Sequence, residues 1–186
     1  MEGDGDMRRV DGRTAGVADD SVAVDLLKGA IAGAIGVWVM DRVDWFMFRH
    51  EDPAARRRTQ DVRPGGRDPA HVIAGEAARL MGVELSSPRQ NPAGLGVHYS
   101  LGIMPGALYG TLRDRVPGLG AGRGLLYGLG MFVVEDELIN PALGVAAGPT
   151  RYPWQAHARG LVAHLVLGFV TDGVLDILNK AGRRYT

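Results

Sequence analysis

Cysteine is absent from the 186-residue chain, which excludes disulfides, thiolate metal ligands and cysteine nucleophiles. An excess of either charge is absent too. Twenty-one Lys and Arg balance 21 Asp and Glu, so the chain lacks the basic field that a nucleic-acid-binding surface needs. Phosphate loops, dinucleotide fingerprints, nucleophile elbows and zinc-protease motifs are missing. The acidic, polar N-terminus is unlike a signal peptide. Long uncharged runs are scarce: within the first apolar segment only Gly29–Met40 is free of charge. Mean hydropathy is −0.02, low for a membrane protein.

What is present is a segregated pattern. Charge gathers in Met1–Asp20, in Arg49–Arg89 and at the C-terminus, and four apolar stretches lie between. They predict helices over about 22–48, 95–112, 119–143 and 156–178. The 28 glycines fall largely inside these stretches. In a soluble helix each would cost about 1 kcal/mol relative to alanine, whereas in a bilayer glycine lets helices approach closely. Uncharged runs this short also fit the buried helices of a soluble protein; the glycine spacing favours the membrane. The expected fold class is therefore all-α: a polytopic membrane bundle of about four short Gly-rich transmembrane helices. An interfacial amphipathic helix is expected over about 69–81, with Asp68 as N-cap, Pro69 in its first turn and Gly82 ending it. Residues 1–21 read as a disordered tail, 22–179 as the membrane domain and 180–186 as a C-terminal tail. Trp38, Trp45 and Trp154 read as packing or interface anchors, and His50 and His71 as surface residues.

Spacing with three intervening residues places Gly29 and Gly33 on one stripe of the first helix, and Gly102, Gly106 and Gly110 on one stripe of the second. Gly120, Gly124 and Gly128 do the same for the third, Gly160 and Gly168 for the fourth. Ionisable residues share those stripes: Asp41 and Asp44, His98, Glu135, then His157 and His164. Four antiparallel spans bring Asp41, Asp44, His98, Glu135, Asp136, Glu137, Asn140, His157 and Arg159 to one face of the membrane, with His164 deeper. Three readings of this cluster stand side by side. The first is a structural network that fixes helix register. The second is a divalent metal site formed by Asp41, Asp44, His98, Glu135 and His157, and hence a membrane-embedded metal-binding protein or metalloenzyme. The third is a proton relay, for which intramembrane Asp, Glu and His are the usual parts. A pair such as Glu135 with His157 is expected within it. No catalytic role can be assigned to any residue.

Lys28-Gly-Ala-Ile-Ala-Gly, Trp38-x-Met-Asp41-x-x-Asp44-Trp45, His98-Tyr-Ser-Leu-Gly-Ile-Met-Pro-Gly-Ala-Leu-Tyr-Gly110 and Glu135-Asp-Glu resemble the YagU-like family of bacterial inner-membrane proteins. The resemblance covers about Asp25–Leu178. It implies an inner-membrane location and a link to acid resistance, and supplies no catalytic residues to carry over. The basic Arg49–Arg89 region is read as particular to this subgroup.

A non-enzymatic protein in a lipid bilayer is expected. A homo-oligomer or a small subunit of a larger membrane assembly is the expected setting, because the second helix carries more glycine than internal packing requires. Both termini are expected on the cytoplasmic side, the long basic loop counting less under the positive-inside rule.

Overall fold

Helix starts are written in short polar side chains and proline. α1 (Met7–His50) ends two residues before Asp52. Asp52 accepts hydrogen bonds from the Ala54 and Ala55 amides and opens α2 (Pro53–Val62). Asp68 accepts from the His71 amide ahead of α3 (Pro69–Leu80), and Asn91 from the Gly94 amide ahead of α4 (Pro92–Leu112). In all three a proline takes the first turn, where its missing N–H costs nothing. α5 (Leu125–Met131) runs on through a π-helical stretch, Phe132–Ile139, into α6 (Asn140–Ala142), and α7 (Trp154–Gly182) completes the fold. The computed structural model describes residues 7–87 and 91–182, which contain no strand. Of the expected tails, 1–6 and 183–186 lie outside the described residues, and the backbone of 7–20 continues α1.

Glycine sets how the helices meet. α1 lies antiparallel to α4: a Cβ on Gly29 would sit 2.5 Å from the Gly106 carbonyl oxygen, and one on Gly33 would sit 2.8 Å from that of Gly102. From the other side, a Cβ on Gly106 would meet the Gly33 Cα at 2.8 Å, and one on Gly110 the Gly29 Cα at 2.7 Å. Gly102 faces the Val37 side chain. α5 lies antiparallel to α7 by the same device, Gly124 and Gly128 against the Gly168 and His164 carbonyls, and Gly160 against the Phe132 ring at 3.1 Å. α1 also packs on α7, where Gly36 faces Thr171 and Leu167. The order across the bundle is α4, α1, α7, α5. Tyr109 of α4 stacks on Tyr127 of α5, ring centroids 4.3 Å apart, and closes the circle beside the 113–124 loop.

The glycine stripe of α4 is fully occupied by α1. The surplus from which an oligomer was expected is therefore used up within one chain. The third helix also begins later than expected, at Leu125 rather than near 119. Gly118, Gly122, Arg123 and Gly124 all have positive φ, so the chain turns through Gly120 and enters the helix from left-handed Gly124. α3 does not lie free at an interface: Ala70, Val72, Ala74 and Ala78 are buried and the helix packs on α4.

Burial is inverted relative to a soluble bundle. The contacts between helices are made largely by Gly and Ala, whereas Leu27, Trp45, Phe46, Met104, Leu108, Leu138, Phe169 and Ile177 are half or more exposed. Two helices are long and apolar enough to cross a membrane, Ser21–His50 (mean hydropathy 1.7) and Trp154–Ala181 (1.8). α4 is diluted by Gly, Pro, Ser and His, and the α5–α6 rod is interrupted by Glu135-Asp136-Glu137.

Glycine contact and glycine composition are separable by mutation. A Cβ on Gly168 would stand 2.7 Å from the Gly128 amide nitrogen, whereas one on Gly173 would meet nothing within 4 Å. Gly168→Ala should lose about 1–3 kcal/mol through overpacking. Gly173→Ala should be neutral or gain about 0.5–1 kcal/mol through helix propensity. Thermal unfolding of the two variants measures the difference; equal effects would contradict the packing described.

Candidate functional site

The site lies at the end of the bundle where α1 and the α5–α6 rod finish and α4 and α7 begin. A cavity of about 770 Å³ opens there. Asp41, Asp44, His98, Glu135, Asp136, Glu137, Asn140, His157, Arg159 and His164 all line it. Helix direction explains the convergence. With α1 antiparallel to both α4 and α7, the C-terminal turns of α1 stand beside the first turns of its two neighbours.

Within the cavity His98, His157, His164 and Arg159 each face a carboxylate. His98 Nε2 lies 2.8 Å from Asp41 Oδ1, joining α4 to α1. His157 is 2.6 Å from Glu137 through Nδ1, and its Nε2 is 3.0 Å from the Pro149 carbonyl. The expected partner, Glu135, is not the one it meets. The π-helical stretch accounts for the change. Its wider turn alters the angle between successive side chains, aiming Glu137 at α7 and leaving Glu135 with no hydrogen-bond or ion-pair partner among the described residues. Pro141, with no N–H to donate, stands where the stretch ends. Asp136 lies 3.7 Å from His164 and accepts from Asn140 Nδ2 at 3.3 Å. Arg159, 8% exposed in its side chain, donates to Asp44 at 3.0 Å. Its Nε lies 3.2 Å from the buried Glu51 carboxylate, and its guanidinium lies over the Phe48 ring.

These pairings answer the metal expectation. Among the described residues no three His, Asp or Glu side chains stand where they could hold one ion. Asp41, Asp44, His98, Glu135 and His157 share a cavity, and all but Glu135 are engaged in pairs.

Sequence reasoning missed the far wall. The α2–α3 arm packs on α7 at one end and on α4 at the other. It places Thr59, Asp61, Arg63, Arg67, Asp68 and His71 on the cavity. His71, expected at the surface, has a side chain only 15% exposed and pairs with Asp68 at 2.8 Å. Burial pushes the Asp68 carboxyl up, but hydrogen bonds from the His71 ring and amide and the charges of His71 and Arg63 outweigh it and hold the group below the ordinary aspartate range. The one sequence signal was Asp68 itself, an N-cap three residues before a histidine. Altogether seven carboxylates and three arginines line the cavity, together with four histidines.

No family model matches the chain, and neither a curated protein nor a solved structure matches it.

Two substitutions test the site's electrostatics. Arg159→Met leaves Glu51 buried without its cation, and removing one member of a buried pair costs about 3–5 kcal/mol. Arg159→Met with Glu51→Gln should recover a substantial part, read as denaturant or thermal stability. Asp68→Ala removes a cap, a loss of about 1 kcal/mol at neutral pH. Because the folded-state pKa of Asp68 is depressed, its contribution is complete above the ordinary aspartate range and is lost as pH falls through the folded value. Stability curves of the parent and Asp68→Ala should therefore converge only below about pH 4.

Proposed function

We propose that the chain is an integral membrane protein whose cavity takes up protons at one face of the bilayer. The inverted burial carries this reading: bulky apolar side chains point outward while histidines and carboxylates face inward. In lipid, the outward face needs no partner and inward ionisable groups must find one another or water. α1 and α7 cross the membrane in this reading, with α4 and the α5–α6 rod completing four spans. The α2–α3 arm sits over the mouth. Water reaches the histidine–carboxylate pairs, since His98 and His157 keep about a third of their side-chain surface exposed. Histidine changes charge near neutral pH, and each pair offers a proton a ready acceptor.

The resemblance to the YagU-like family supports an inner-membrane setting and a part in acid resistance. It rests on the segments quoted above, two of which face one another here, Trp38–Trp45 on α1 and His98–Gly110 on α4. The proposed role is proton uptake and not chemical catalysis.

Two measurements test it. The protein should stay in the membrane pellet through an alkaline carbonate wash. In vesicles, the fluorescence of Trp45, which borders the cavity, should change between about pH 5 and 8, and the transition should be lost in His98→Gln with His157→Gln. Release by carbonate, or a transition unaltered in the double variant, would overturn the reading.

A further inference from the structure

A second polar network occupies the opposite end of the bundle. Tyr109 Oη donates to Asp172 Oδ1 at 2.7 Å. Arg113 donates to the same carboxylate at 2.9 Å and to Asp176 at 2.5 Å. The Asp172 side chain is 9% exposed and that of Asp176 is 45% exposed, so the network runs from the interior to the surface.

Little material separates it from the cavity. His164 and Leu167 line the cavity. Asp172 stands eight residues beyond His164 and five beyond Leu167 on the same helix, about 12 Å and 8 Å of axial rise. This septum is closely packed, yet it holds two buried hydroxyls that have no hydrogen-bond partner among the described residues, those of Thr171 and Tyr127. Thr171 is 0% exposed. A plain packing layer would use Val and Phe here, as it uses Leu167 and Leu175 beside them. A buried hydroxyl without a partner is costly, and a bound water is the usual remedy. Tyr127 also stacks on Tyr109, whose own hydroxyl is already bonded to Asp172.

We infer that the septum conducts protons, with water bridging the Tyr127 and Thr171 hydroxyls between the cavity at His164 and Asp172 at the other end. The inference rests on the membrane reading above, which puts the two ends on opposite sides of the bilayer. A proton delivered by cavity water is accepted on one oxygen of the chain, and that oxygen releases its own proton to the next, so only O–H bonds break and form. The Asp172 carboxylate receives the last proton. Arg113 keeps its bond to Asp176 while Asp172 is neutral; Asp172 then passes its proton through water to Asp176 and, ionised again, holds Arg113 while exposed Asp176 releases the proton to bulk water.

The experiment uses the full chain in vesicles of phosphatidylethanolamine and phosphatidylglycerol, with a pH-sensitive dye inside and a potassium-valinomycin potential across the bilayer. Proton flux should clearly exceed that of empty vesicles. Thr171→Val and Tyr127→Phe, which delete a hydroxyl and keep the shape, should each cut it about tenfold. Thr171→Ser should restore flux to within about twofold of the parent. Thermal unfolding establishes that each variant is folded. Flux equal to that of empty vesicles, with the Trp45 transition intact on the same preparation, would overturn the septum and leave the cavity reading standing. Flux undiminished in both deletion variants would overturn it as well, and loss of the Trp45 transition in the parent would bring down both readings together.

Discussion

Close approach of backbones at glycine is the constraint on which the rest of this structure depends. Where Gly29, Gly33 and Gly106 meet, α1 and α4 have no freedom to slide: a shift along the axis would drive Val37 into the α4 backbone at Gly102. One turn beyond that contact Asp41 finds His98. The same holds for α5 and α7, where contacts at Gly128 and Gly160 are followed by Glu137 meeting His157. Register is thus fixed in the small-residue zone, and the ionisable pairs are placed by it. Each pair in turn satisfies charges that would be costly to leave alone in a low-dielectric interior.

The arrangement is asymmetric along the bundle axis. At one end a π-helical stretch and the diverging helices leave room for a cavity. At the other, the Tyr109–Tyr127 stack and the Arg113, Asp172 and Asp176 contacts draw α4, α5 and α7 together. Lys28 to Asn179 at 3.0 Å and Arg115 to Asp25 at 2.9 Å add further ties there. An open polar chamber above a thin, closed layer is a geometry suited to taking up a small charged species from one side.

The sequence made some of this legible. Period-four glycine on apolar helices revealed which faces touch, and simple alternation of helix direction grouped ten polar residues at one end. Pairing within the group was not legible. Which of Glu135, Asp136 and Glu137 meets a histidine depends on the π-helical turn over Phe132–Ile139, which a helical periodicity of about 3.6 does not anticipate. The covering arm was hidden for a different reason: its arginine-rich composition resembles a solvated loop, and the residues that reach the cavity share no periodicity with the bundle. The late start of α5 was written in glycine, but spaced residues in a turn and on a helix stripe look alike until backbone angles are known.

The central claim is that the outward apolar faces of α1, α4, α5 and α7 contact lipid. The chain has no cysteine, so nitroxide labels can be placed singly at Ile31, Leu108, Leu126 and Phe169, all outward and 43–58% exposed. Power-saturation electron paramagnetic resonance in vesicles then compares collision with oxygen, which concentrates in the bilayer, and with a water-soluble nickel chelate. The account predicts high oxygen and low nickel accessibility at all four positions. High nickel accessibility at these sites would mean that the faces meet water, and would contradict it.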